Sequence, residues 1–253
     1  LKKKEPDRAL VLLREVVAAE PNYAPAYFLS ALACRMKEDP EQALTLLEKA
    51  LQLDPGLAPA ISEAANLLNA LAQEKVAQNQ PEKGYGYYAR IVALPGLQGF
   101  NQRLFIEALY NMGISSFQAK NHDQSEDAFR KMLAIPNVDS EAKTNYLMAQ
   151  YMMGINLNIL NRAEESVSYL RRYLELSGSE EVTAYTALAS YFIARYEFVL
   201  LEADVNKLKE NSADTDPHRR IRELAEGRKT IPKLLQTAII GRPDLEDAYV
   251  ILS

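Results

Sequence analysis

The sequence is poor in the residues from which most catalytic and metal-binding sites are built. Its 253 residues include one cysteine, two histidines and no tryptophan. Cys34 has no second cysteine to pair with, which excludes an internal disulfide framework. HExxH, CxxC and Gly-rich phosphate-loop motifs are absent, and His122 and His218 lie far apart in the sequence. We therefore predict no catalytic, cofactor-binding or metal-binding residues, no cofactor and no enzyme activity.

Long apolar runs and an excess of basic residues are also missing. No run approaches the roughly 20 apolar residues that a membrane span needs, which predicts a soluble chain without a membrane span. Either the cytoplasm or the bacterial periplasm is compatible with that prediction. The formal net charge is -5, whereas nucleic-acid-binding proteins usually carry a basic footprint. We therefore expect a protein or peptide partner and no nucleic acid.

One basic run stands out against this acidic background. It extends from Arg219 to Lys233, with Glu223 and Glu226 between the basic residues. The run is typical of a solvated helix face, but it also fits a docking site for an acidic partner or a membrane surface. Both interpretations stay open.

The sequence repeats itself at a spacing of 34 residues. Glycine and proline are few, and the prolines tend to lie between stretches of helical apolar periodicity. Small, large and proline positions recur at this spacing in five pairs, namely Ala9 and Ala43, Leu13 and Leu47, Pro21 and Pro55, Ala26 and Ala60, and Tyr27 and Ile61. A 34-residue helix–turn–helix unit is the tetratricopeptide period.

The unit from Ala24 to Leu57 resembles the tetratricopeptide repeat family. Its aromatic, small, large and closing-proline positions are filled by Tyr27, Ala31, Ala43, Leu47, Ala50 and Pro55, while Ser30 stands where the family favours leucine. The resemblance implies an all-α fold, a right-handed α-solenoid of antiparallel helix pairs, with about five to six units in this chain.

The period then lengthens to 41 residues. Small residues recur at this spacing, and so do large ones, in the series Ala43, Gly84, Ser125, Ser166 and Leu47, Tyr88, Phe129, Leu170. Seven extra residues make about two helical turns, so each insertion preserves the buried face. We expect longer first helices in the third to fifth units. Gly113 and Gly154 lie inside apolar-periodic stretches, which predicts close contact between the paired helices.

The last third of the chain is less regular. We predict a repeat solenoid over 1–178 and a continuation over 179–253 in one superhelix. The continuation should contain a helix from Glu180 to about Lys209, a polar stretch over 211–216, and a helix that begins at Asp216-Pro217 and is kinked or divided at Pro232. Both ends of the chain cut through a repeat, so we expect an excerpt of a longer protein, or ends that pair with another chain.

The family resemblance also implies where a partner binds. First helices of such repeats line a concave groove, which here would be formed by Phe28, Leu32, Met36, Asn66, Tyr110, Ile114, Phe117, Tyr151, Ile155 and Asn158, with Ser62, Asn69, Thr186, Ser190 and Ile193 beside them. Such a surface suits a peptide or amphipathic helix of a partner. Some of these side chains also fit a helix core. The leading hypothesis is a protein-interaction scaffold, and the alternative is self-assembly through open solenoid ends.

Overall fold

The computed structural model describes residues 5–178, 182–210 and 217–252, and all regular secondary structure in these residues is α-helical. The chain divides into two compact units, Leu1–Ala142 and Lys143–Ser253. In each unit, consecutive helices pack as hairpins in chain order. The predicted all-α solenoid class of antiparallel helix pairs is confirmed. The predicted division between 178 and 179 follows repeat regularity and stays a prediction.

The first unit contains three helical hairpins. Its described helices are α1 (Glu5–Ala19), α2 (Ala24–Met36), α3 (Pro40–Leu53), α4 (Ala58–Ala77), α5 (Pro81–Val92), α6 (Leu97–Phe100), α7 (Gln102–Gln118), α8 (His122–Leu133) and α9 (Val138–Glu141). The hairpins are α2–α3, α4–α5 and α7–α8. Several of these helices begin at or next to a proline, because the fixed φ of proline suits the first turn, where its missing N–H costs no hydrogen bond.

The second unit opens with a regular hairpin and becomes less regular. Its described helices are α10 (Lys143–Ile159), α11 (Ala163–Ser177), α12 (Ala184–Glu210), α13 (Pro217–Gly227), α14 (Thr230–Gly241) and α15 (Glu246–Leu252). The predicted long helix is confirmed from Ala184, and α13 begins at Pro217 as expected. The chain divides at Arg228-Lys229, so Pro232 lies in the first turn of α14, where proline is tolerated. Residues 180–181 and 211–216 lie outside the described residues.

The seven extra residues are accommodated in two different ways. In the third unit α4 has 20 residues where α2 has 13, as predicted. In the next two units the prediction of one longer helix is wrong in part, because a four-residue helix, α6 or α9, precedes a 17-residue helix. Gly96 and Asn137 adopt left-handed backbone before the short helices, with φ of 66° and 59°. Asn101 then caps α7 by accepting a hydrogen bond from the Leu104 amide at 3.1 Å.

The 41-residue period is also present in the backbone of the hairpin turns. Four non-glycine residues with positive φ end the first helices of successive pairs, namely Glu38, Asn79, Lys120 and Asn161. After each one, the next residue donates its backbone N–H to a carbonyl five residues earlier, at 2.9–3.1 Å. This is the hydrogen-bonding pattern of a Schellman motif, which satisfies the last carbonyl groups of a helix. The same turn therefore sets the reversal of direction in four pairs.

Small residues allow the paired helices to approach closely. A Cβ atom added at Gly113 would lie 2.8 Å from the Phe129 ring, and one added at Gly154 would lie 2.4 Å from Leu170. At the same crossings, Ser125 Oγ donates to the Gly113 carbonyl at 2.9 Å and Ser166 Oγ donates to the Gly154 carbonyl at 2.7 Å. The predicted role of these glycines in close packing is confirmed, and the serines satisfy their hydroxyl groups within the contact.

We expect Gly154→Ala to lower the free energy of unfolding by about 1–3 kcal/mol, because the new methyl group collides with a fully buried leucine. Gly86→Ala is the matched control, since nothing lies within 4 Å of an added Cβ at that exposed position of α5. It should raise stability by roughly 0.5–1 kcal/mol through lower chain entropy. Urea unfolding of both variants measures the difference, and equal effects of the two would contradict the close crossing.

Candidate functional site

The predicted groove residues have different degrees of exposure. In the first unit Met36 and Asn66 are exposed, whereas Phe28, Leu32, Tyr110, Ile114 and Phe117 are half-buried. In the second unit Ile155 and Asn158 are half-buried and Tyr151 is buried. Three further residues expected beside the groove, Thr186, Ser190 and Ile193, are also buried. The predicted stripe is therefore not uniformly open, and its most accessible apolar member is Met36.

An apolar groove lies between α1 and α2 in the first unit. Its volume is about 410 Å³, and it is lined by Glu5, Pro6, Ala9, Leu12, Leu13, Leu29, Leu32, Ala33 and Met36. Leu12, Leu29 and Met36 are 55%, 48% and 44% exposed. Two predicted groove residues, Leu32 and Met36, therefore share one concave surface with leucines of α1.

The repeat register explains why this groove is open. Leu13 and Val16 of α1 occupy the positions of Leu47 and Ala50 in α3, 34 residues later. Leu47 and Ala50 are completely buried, because α2 packs against α3 as its hairpin partner. Leu13 is only half-buried, and Val16 is 39% exposed. Within the described residues, α1 thus presents a face that a first helix covers elsewhere in the unit.

Two predicted aromatic groove residues are tied to neighbouring rings. Tyr110 stands edge-on to Phe129 with ring centroids 6.1 Å apart, and Phe117 stands edge-on to His122 at 5.4 Å. Each contact joins α7 to its hairpin partner α8. Edge-to-face packing of this kind stabilises aromatic pairs. Both side chains therefore contribute to the pair contact and keep only part of their surface accessible.

Tyr151 requires a correction. It is 7% exposed and packs with Tyr173 and Tyr185, at centroid distances of 5.3 and 5.1 Å. Burial, followed by the neighbouring hydroxyl groups of Tyr173 and Tyr185, raises the pKa of Tyr151 to about 12. A side chain in this position is part of the hydrophobic core of the second unit. The prediction that Tyr151 lines an open groove is therefore wrong, because its side chain is buried.

This raised pKa gives Tyr151 a pH-dependent effect on stability. An unfolded chain ionises tyrosine at about pH 10, whereas the folded protein holds the proton to about pH 12, so stability falls as the pH rises through this window. We expect the free energy of unfolding to fall less in Tyr151→Phe than in the unsubstituted protein between about pH 10 and pH 12. The control is Tyr23→Phe, whose side chain is 47% exposed. An unchanged pH dependence in Tyr151→Phe would show that the hydroxyl is not shielded from water.

The second unit contains a polar network around Glu197 that the sequence did not predict. The Glu197 carboxylate accepts hydrogen bonds from Arg171 and from Thr230 Oγ1, the latter at 2.9 Å. Arg228 donates to the Glu197 carbonyl at 3.0 Å and to Asp204 at 2.9 Å. These partners lie 24 to 33 residues apart in sequence, and no repeat offset relates them. The network fastens the α13–α14 connection to α11 and α12.

The described residues offer neither an accessible cysteine nor a group of metal ligands. Cys34 is 1% exposed, its Sγ lies 3.4 Å from Gln42 Oε1, and burial raises the pKa of its thiol. Cys34 is therefore a buried core residue. Among the described residues, no group of three or more His, Cys, Asp or Glu side chains is placed to hold a metal ion. No helix in the described ranges is both long enough and apolar enough to span a membrane.

Comparison with known proteins supports one repeat directly. Residues 24–57 match the model of the tetratricopeptide repeat, with the bounds that the sequence predicted. A comparison with curated protein sequences finds no match. The recognition of a tetratricopeptide unit at Ala24 to Leu57 is therefore confirmed.

Solved tetratricopeptide structures are similar to this chain over most of its length. One is YrrB, described as a TPR protein with an unusual peptide-binding site, at 16% identity and a TM-score of 0.43, covering 94% of this chain and 96% of that one. PilW, a type IV pilus biogenesis factor, has 13% identity and a TM-score of 0.44, covering 99% and 92%. PilF of Pseudomonas aeruginosa has 18% identity and a TM-score of 0.41, covering 86% and 89%.

The class of this protein is defined by its own packed helix pairs and by the match at residues 24–57. It is a helical-repeat protein that contains a tetratricopeptide unit. Stacked helix pairs of this kind present extended surfaces.

Proposed function

We propose that the chain binds an amphipathic helix of a partner protein in the apolar groove between α1 and α2. The observation that carries the proposal is the exposed leucine and methionine surface formed by Leu12, Leu29 and Met36. An apolar groove of this kind suits the apolar face of a helix. Methionine adapts its shape to different partners, which favours its use at a binding surface.

The chain itself supports a helix as the occupant. The exposed face of α1 corresponds to a face of α3 that lies 34 residues later in the sequence. On α3, this face is covered by the helix α2. In that internal pair, Ala31 and Cys34 of α2 and Ala43 and Leu47 of α3 are all buried. A partner helix with small residues on its apolar face would repeat this contact on α1.

The groove can be tested with a peptide taken from the chain. A labelled peptide of residues 22–38, which contains α2, should bind the intact protein saturably in a fluorescence-polarisation assay. Leu12→Ser combined with Met36→Ser should weaken this binding at least about tenfold, because each loses apolar surface worth roughly 1 kcal/mol or more. Both side chains are about half exposed, so thermal stability should change little.

The matched control combines Val11→Ser and Phe100→Ser. These residues are 54% and 52% exposed in the same unit and do not line the groove. The control should bind the peptide as the unsubstituted protein does. Equal weakening in the two double variants, or an absence of peptide binding, would contradict the proposed site. Co-purification with the same variants, followed by mass spectrometry, would then identify partners that depend on the groove.

Self-association is the second candidate, and the register of α15 favours it. Ala248 and Tyr249 follow Pro243 at the same distances as Ala26 and Tyr27 follow Pro21. Ala26 and Ala248 are both buried, whereas Tyr249 is 46% exposed and Val250 is 73% exposed. α15 therefore resembles the beginning of a first helix, which is the element that would cover α1.

If the chain self-associates in this way, its mass by light scattering should rise with concentration. Val250→Glu should suppress the rise, because it places a charge on an apolar contact that would lose water. A chain that stays monomeric at high concentration would contradict this candidate and leave the helix-binding proposal in place.

A further inference from the structure

The connection between α13 and α14 carries a concentration of positive charge in an acidic protein. Between residues 219 and 233 the sequence has six Lys and Arg against two Glu, a net charge of +4 in a chain of net charge -5. The structure shows which of these cations are already bound to carboxylates and which are exposed to solvent. That distinction decides between the two interpretations of the basic run.

Three of the nearby carboxylates are occupied by other groups, whereas the exposed Glu226 lines the cleft itself. Arg228 uses its guanidinium on Asp204 and on the Glu197 carbonyl, and only 22% of its side chain is exposed. The Glu197 carboxylate is held by Arg171 and Thr230. Glu223 is paired with Arg219 at 2.9 Å. Three of the local acids are thus unable to neutralise the remaining cations.

Besides Arg219, Arg220 and Arg228, the basic run has three cations, and all three are exposed. Among the described residues, Arg222, Lys229 and Lys233 form no ion pair within 4.0 Å. Arg222 and Lys229 line a shallow cleft of about 390 Å³ together with Ala225, Glu226, Arg228 and Pro232. Lys233 lies in the first turn of α14, four residues after Lys229, which is the residue before that helix. The cleft therefore combines a fixed guanidinium with cations that can still gain a partner.

The shape of the surface favours a peptide over a membrane. Helices that bind membrane surfaces insert large apolar side chains into the lipid. On α13, Leu224 instead lines a separate cavity with Leu208 and Asp204 of α12, and Ile221 is half-buried. The outward side chains at the cleft are Ala225 and Glu226, with Pro232 beside them. A concave surface with small apolar groups suits a narrow acidic chain segment.

We propose that the cleft formed by Arg222, Arg228 and Lys229, with Lys233 beside it, docks an acidic peptide segment of a partner protein. Asp or Glu side chains of the segment would pair with Arg222, Lys229 and Lys233. Arg228 would hold the connection between α13 and α14 against α12 through its hydrogen bonds to Glu197 and Asp204. This site lies in the second unit and does not involve the groove of α1 and α2. Its failure would therefore leave the proposed helix-binding function untouched.

The test compares two triple variants of equal charge. The first combines Arg222→Glu, Lys229→Glu and Lys233→Glu. The second, the matched control, combines Lys49→Glu, Lys83→Glu and Lys143→Glu, which are exposed lysines outside the cleft. The probe is a fluorescein-labelled peptide of alternating Glu and Gly, measured by fluorescence polarisation at 50 mM and 300 mM NaCl. Circular dichroism checks that both variants remain folded.

We expect the unsubstituted protein and the control to bind the probe, and the cleft variant to bind it at least about tenfold more weakly, because each exposed charge contact contributes a factor of roughly two to five. Binding should weaken as salt rises. Equal binding by the two variants, binding independent of salt, or no binding by the unsubstituted protein would overturn the proposal. So would cleft-dependent binding to phosphatidylserine-containing vesicles without binding to the peptide.

Discussion

The close crossing of paired helices is the constraint on which the rest of this structure depends. Gly113 and Gly154 have no side chain because Phe129 and Leu170 occupy the space that a Cβ atom would need. A large residue on one helix is thereby matched to the smallest residue on the other. The hydroxyl groups of Ser125 and Ser166 bond the carbonyl groups of those glycines, so the contact buries few polar atoms without partners. The turns, helix lengths and exposed faces all have to be compatible with these crossings.

The close crossings of the paired helices were the most predictable part of the fold. They depend on residues a fixed distance apart, and the 34- and 41-residue offsets place small and large residues in register without any knowledge of coordinates. The short helices α6 and α9 were not predicted, because a two-turn insertion preserves the buried face whether it is continuous or broken. In the structure the breaks are made by Gly96 and Asn137, which adopt left-handed backbone, and by Asn101, which caps α7.

The candidate sites were less predictable, for a different physical reason. A residue on the first-helix face can be open or covered, and its helical position does not determine which. Met36 is exposed while Tyr151 is in the core, although the family resemblance assigned both to one groove. The repeat register indicated an incomplete pair at α1, but the degree of exposure of Leu13 and Val16 had to be read from the structure. The Glu197 network joins residues that no periodicity relates. Coordinates were also needed to see that Arg222 and Lys229 form no ion pair with any described residue.

The short helices show how a repeat of this type can acquire length. Leu97 and Val138, which begin α6 and α9, are separated by 41 residues and are both buried. Each inserted segment therefore brings its own anchoring side chain, and after α6 Asn101 caps the helix that follows. A unit can thus be enlarged at one end without any change to the glycine contact at its centre. For protein engineering, these segments are natural positions at which new sequence can be grafted into the repeat.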